Sequence, residues 1–153
     1  MIRFHVPGEP KAQPRVKARL IGLTAIARKL IALRKVVARI YTPPTADGWK
    51  SAIRGLARCE YRGPPSRCAF RMKIEFVFAR PRSHFGTGRN ADVLKRTARE
   101  HHTQKPDLDN LEKAVKDALT GVVWHDDCQV VSVAKEKRWG ERDGAWIEVE
   151  EVL

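Results

Sequence analysis

From Phe70 to Phe78 the chain alternates. Phe70, Met72, Ile74, Phe76 and Phe78 are apolar, and Arg71, Lys73 and Glu75 separate the first four. A period of two puts the large apolar side chains on one face of an extended strand and the charges on the other. Such a strand needs a sheet with one face on a core and one in water, which excludes an all-helical fold.

The second constraint is the stretch KPDLDNLEKAVKDALTGVVWHDDCQ, Lys105 to Gln129. Leu108, Leu111, Val115, Ala118, Leu119 and Val122 recur at three- and four-residue intervals, the pattern of a helix with one buried stripe. Pro106 disfavours helix in the residue before it, and Gly121 suits the helix end, so the helix is expected over 108–120. Asp109 followed by Glu112 predicts an N-terminal capping pair. Asp109 and Lys113 are four apart and share a face, with Asp107 one step before the first turn. A second acidic pair, Asp126 and Asp127, precedes a new apolar run. It is expected to fold back to the helix start when the following strand packs beside the helix.

Taken singly, these acids have ordinary explanations as caps and turn residues. Gathered at one point they repel one another unless a cation neutralises them. Mg²⁺ is held by one or two carboxylates with waters and substrate phosphate completing the shell. The charge of the whole chain points the same way. The formal net charge is +12. Residues 1–105 hold 24 Lys+Arg against 6 Asp+Glu, whereas residues 106–153 hold 6 against 12. A basic body around an acidic patch attracts nucleic acid through its phosphates, with binding that weakens as salt rises.

The rest of the chain reads as one domain. Ile2, Phe4 and Val6 alternate with Arg3 and His5 in an opening strand. Lys11, Arg15 and Lys17 lie on a proline-broken loop, a candidate phosphate-contacting arm. Residues 18–37 are expected to form an inserted basic amphipathic helix that packs on the domain or extends a dimer contact. A short strand is expected over 39–42. A second helix, capped by Thr45, carries Trp49, Ala52, Ile53, Leu56 and Ala57 on its apolar stripe. Residues 80–104 have little periodicity, carry Arg80, Arg82, Arg89, Lys95 and Arg96, and lead into Lys105; they are expected to form a mobile DNA-binding flap. His84, His101 and His102 lack zinc-motif spacing and are assigned to phosphate or solvent. Strands are expected from Val130 and around Ile147 and Val149, with a turn between them at Gly140 to Gly144. The sum is an α+β domain with a mixed sheet of about four strands and two main helices.

Cys59, Cys68 and Cys128 show no paired spacing, so neither a disulfide framework nor structural zinc is expected. No apolar run reaches about 18 residues, and the start lacks a signal-peptide core, so no membrane partner is expected.

The run KPDLDNLEKAVKDALTGVVWHDDCQVV resembles the signature of the RusA family of Holliday junction resolvases, especially its phage and prophage branch. PGEPKAQPRVK, ARIYTPPTADGW and RSHFGTGRNADVLKRTAREHHTQ resemble that family in the same order; only about 18–37 departs from it. The resemblance implies a cytoplasmic homodimer in a bacterial or phage-infected cell. It would cut four-way DNA junctions in recombination and repair by paired nicks, with some cytosine-rich preference and no small-molecule cofactor. Mg²⁺, with Mn²⁺ as a substitute, would be held by Asp107, Asp109 and Asp127. Lys113 would be a catalytic or phosphate-contacting lysine and Asp126 a supporting acid. The alternatives are a less selective branched-DNA nuclease and a non-catalytic DNA-binding protein.

Overall fold

The structure, a computed structural model, describes residues 1–20, 38–41 and 43–152. The described residues form strands β1 (Ile2–Pro7), β2 (Lys17–Leu20), β3 (Ala38–Tyr41), β4 (Ala69–Ala79), β5 (Val130–Gly140) and β6 (Gly144–Val152). Among the described residues the two α-helices are α1 (Asp47–Glu60) and α2 (Leu108–Leu119). The expected insert therefore begins differently, because 18–20 belong to a strand paired with β3. The rest of the helix expected over 18–37 lies outside the described residues.

The main sheet has the order β1-β6-β4-β5. Its first two pairings are antiparallel and β4–β5 is parallel, so the sheet is mixed, as the sequence predicts. A parallel pair needs a long crossover, here supplied by residues 80–129 with α2 at their centre. The turn after β5 does not make a hairpin. It carries the chain around the end of β4, so that β5 and β6 flank that strand. The Asp143 carboxylate accepts a hydrogen bond from the Ala79 amide at 2.8 Å, and the Gly140 carbonyl accepts one from the Arg80 amide at 3.0 Å.

Both helices pack on one face of the sheet. Trp49, Ile53 and Ala57 of α1 and Leu111, Ala114, Val115, Ala118 and Leu119 of α2 are buried against Phe70, Met72, Ile74, Phe76 and Ile147. Removing the larger of these side chains, Ile53, Leu111, Val115 and Leu119, from water contributes about 1.5–3 kcal/mol each, which is how the apolar stripes define the helix faces. The opposite face is wet and charged, with Arg3 against Glu148 and Arg138 against Glu75. The predicted Thr45 cap is not formed. Ala46 is the N-cap and makes no side-chain bond, because the first turn starts at Asp47.

Candidate functional site

Asp107 is the N-cap residue of α2, in extended conformation at φ −73° and ψ 142°, yet its side chain does not cap the helix. Asp109 lies in the first turn. Both side chains are exposed, and among the described residues neither is in an ion pair. The positive end of the helix dipole favours carboxylates there. The predicted Asp109–Glu112 capping pair is absent, because Glu112 turns sideways instead. It pairs with Lys135 of β5 and, at 3.2 Å, with Lys116. Burial would raise the Glu112 pKa, but the hydrogen bonds from Lys135 and Lys116 outweigh that and hold it below the ordinary carboxylate value. Lys113 is exposed one turn from Asp109. Gly121, at φ 77°, closes the helix as expected.

The N-terminal arm runs along the start of α2. The Gln13 amide donates to the Asn110 carbonyl at 2.9 Å, and Lys50 donates to the Gln13 side chain at 3.0 Å. The result is a groove of about 510 Å³ lined by Lys11, Arg15, Lys105, Asp107 and Asn110, with Glu9 paired to Lys11 at its edge. Three of the predicted DNA-contacting cations thus meet the first acid. Lys17 is exposed at the start of β2.

The second acidic pair is placed elsewhere. β5 does pack beside α2, but in the opposite direction. Lys137 reaches Pro106 and Lys135 reaches Glu112, so the strand's start lies toward the helix's end. The 12-residue helix is about 18 Å long at about 1.5 Å per residue. Asp126 and Asp127 sit beyond its far end and do not fold back to Asp107 and Asp109 within one chain. Among the described residues no three His, Cys, Asp or Glu side chains converge to hold a metal ion.

The acidic turn is itself tightly built. Asp126 and Gln129 form a reciprocal capping box around the 3-10 turn Asp127–Gln129. The Cys128 amide donates to Asp126 at 2.9 Å, while the Gln129 carbonyl oxygen accepts from the His125 and Asp126 amides at 2.9 and 3.0 Å. The Gln129 side-chain Nε2 then donates to the Ser66 and Cys68 main-chain carbonyls at 2.9 and 2.8 Å. The Cys128 amide, and after it the Cys128 thiol and Asp127, hold the Asp126 carboxyl below its ordinary pKa; Asp126 in turn pushes the Cys128 thiol up. Asp126 is engaged in the turn and Asp127 stands exposed beside it. This role of Gln129 goes beyond its place in the sequence motif. Its signal was a Gln three residues after an Asp.

The basic segment expected as a flap folds into short turns at Arg82–His84 and Gly88–Asn90, with a bridge between Phe85 and Leu94. Gly86 packs so closely on Asn90 that an added Cβ would lie 2.5 Å from the Asn90 carbonyl oxygen. Arg80 donates to the Arg99 carbonyl at 2.9 Å and lies over Trp139, and Lys95 donates to the Ser83 carbonyl at 2.9 Å. Arg82, Arg89 and Arg96 are exposed. His102 does not face solvent as assigned. It is buried, stacked on Phe78 with ring centroids 4.2 Å apart and 4.3 Å from Trp139. His84 meets the same Trp139 edge-on. Burial, and then the Lys137 cation, push the His102 pKa down.

One carboxylate lining a basic groove and a second exposed in the first helical turn, neither in an ion pair among the described residues, suit Mg²⁺, which takes one or two carboxylates and leaves the rest of its shell to water and phosphate. Fold and site therefore define a basic α+β domain with an acidic residue, Asp107, in a groove lined by cations. Residues 7–150 match the model of a family described as endodeoxyribonuclease RusA, and the chain belongs to that family. It is also similar to "Uncharacterized protein YqaN" of Bacillus subtilis (strain 168), 42% identical over 50 residues. That likeness covers 33% of this chain and 35% of the relative, so about a third of the relative's length is matched.

Proposed function

We propose that this chain is a Mg²⁺-dependent endodeoxyribonuclease that resolves four-way DNA junctions by paired, symmetric nicks as a homodimer. Its setting is recombination and repair in the cytoplasm of a bacterial or phage-infected cell, with Mn²⁺ able to replace Mg²⁺. The observation that carries this reading is the Asp107 carboxylate lining the groove of Lys11, Arg15 and Lys105, with Asp109 exposed in the first turn of α2 beside it and neither in an ion pair among the described residues. Family membership supports the same chemistry.

In this reading the groove cations hold the phosphodiester backbone and bring one phosphate to Asp107 and Asp109. The exposed arginines of the basic segment, with Lys17, Lys95 and Arg80, extend the contact. Asp107 and Asp109 would hold a divalent cation, which would supply an activated water and stabilise charge on the leaving oxygen. Lys113, one turn along α2, donates to the phosphate oxygens as negative charge builds. Asp126 acts through the turn that presents Asp127.

The position of Asp127 favours a dimer. In one chain it lies beyond the end of α2, whereas Asp107 and Asp109 lie at its start. A two-fold-related copy with its helix antiparallel to α2 brings its own acidic turn to this groove, and a four-way junction needs two such sites. Mixing Asp107→Asn with Asp127→Asn protein tests this directly. Sites shared between copies give one intact site per mixed dimer and therefore single nicks from two inactive variants. Sites contained in one chain give no cleavage from the mixture. If both variants cleave as wild type does, the acidic site itself is wrong.

A further inference from the structure

β5 carries two lysines, Lys135 and Lys137, on its helix-facing side, and they are satisfied in different ways. Lys135 is neutralised by Glu112. Lys137 is half-buried and, among the described residues, has no carboxylate partner. Its ammonium donates instead to the main-chain carbonyls of Gln104 and Pro106, at 2.6 and 2.9 Å. Among the described residues no other hydrogen bond reaches the 104–106 backbone.

The Pro106 carbonyl belongs to the peptide that joins Pro106 to Asp107. On the other side, the Asp107 carbonyl accepts the Leu111 amide at 3.1 Å. Both peptide planes flanking Asp107 are thus pinned, one by Lys137 and one by the first helical bond. With both planes fixed, the direction of the Asp107 Cα–Cβ bond is fixed, and only its side-chain rotations remain.

We propose that Lys137 is a positioning residue for Asp107, holding the peptide from which that carboxylate projects toward the groove and its divalent cation. The inference rests on the reading that Asp107 is a metal ligand. Residues that orient a ligand from behind commonly change metal affinity by about 10- to 100-fold when removed.

The test uses the full chain without DNA, with Mn²⁺ binding followed by electron paramagnetic resonance, and then Mg²⁺ titrations of junction cleavage. The variants are Lys137→Met, Lys137→Arg and Asp107→Asn. Lys137→Met is expected to weaken Mn²⁺ binding about tenfold and to raise the half-saturating Mg²⁺ by a similar factor. Maximal cleavage at saturating metal should change much less. Lys137→Arg, which can still donate to both carbonyls, should recover most of the affinity. Should Lys137→Met fail to fold, Lys137→Gln takes its place, with the same direction expected. Unchanged Mn²⁺ affinity in the lysine variants, with affinity lost in Asp107→Asn, overturns the positioning role and leaves the metal site standing. Unchanged affinity in Asp107→Asn overturns both.

Discussion

The Gln129 side chain uses both amide protons and both carbonyl lone pairs, so Gln129→Met removes four hydrogen bonds at once. At about 1 kcal/mol net per bond, the upper bound is about 4 kcal/mol. Gln129 is half-buried and the turn it braces is exposed, so water replaces part of the loss, and the expected cost is about 2 kcal/mol. For a domain of this size that lowers Tm by about 4–8 °C. Urea and thermal melts followed by circular dichroism read the change, and junction nicking should fall as well, because the turn carries Asp127. Gln129→Glu keeps the two acceptor bonds but sets a carboxylate against the Ser66 and Cys68 carbonyls. It should cost at least as much at neutral pH and recover in acid, as the carboxyl gains a proton to donate. A change below about 0.5 kcal/mol for Gln129→Met, within the range of ordinary surface substitutions, refutes the reasoning.

Lys11→Ala with Arg15→Ala should lower the slope of log junction affinity against log salt by about 2, near 0.9 per lost phosphate contact, measured by filter binding in chelator. An unchanged slope removes the groove from the DNA path. His102 has its pKa pushed down in the fold, so below its ordinary 6.5 the unfolded chain takes the proton first and stability falls with pH until the lowered folded value is passed. Urea midpoints should therefore drop from about pH 6.5 downward, less so in His102→Phe. Glu112 has the opposite kind of shift, a lowered carboxyl pKa, so its stabilisation is present above its ordinary 4.5 and is lost as pH falls through the folded value. Glu112→Gln should cost about 2 kcal/mol at neutral pH by urea melt, with the difference from wild type shrinking in acid.

What the sequence made legible followed periodicity. The strand from Phe70 and the helix from Leu108 bury their predicted faces because a two- or 3.6-residue repeat leaves one place for the apolar side chains. Strand order was not legible. β5 and β6 look like a hairpin in sequence, but β4 lies between them, and the Asp143 turn that passes its end has no periodic signal. The same topology separates the acids, since local spacing cannot say which way β5 runs along α2. Capping was misread where a competing partner won, as Lys135 does for Glu112. His102 looked polar in a basic loop, yet Phe78 and Trp139 meet it only once the ends of β4 and β5 lie side by side. Lys137 faces the core side of a strand, and an inward lysine in such a pattern was the overlooked sign of a buried polar partner.

Cleavage of a synthetic four-way junction beside a linear duplex, with and without Mg²⁺, by wild type and Asp109→Asn, tests the central claim most directly. The account predicts paired, symmetric nicks in the junction alone, absent without metal and absent in the variant, which still binds the junction. Equal cutting of the duplex would contradict junction selectivity, and binding without any metal-dependent cleavage would contradict the enzyme.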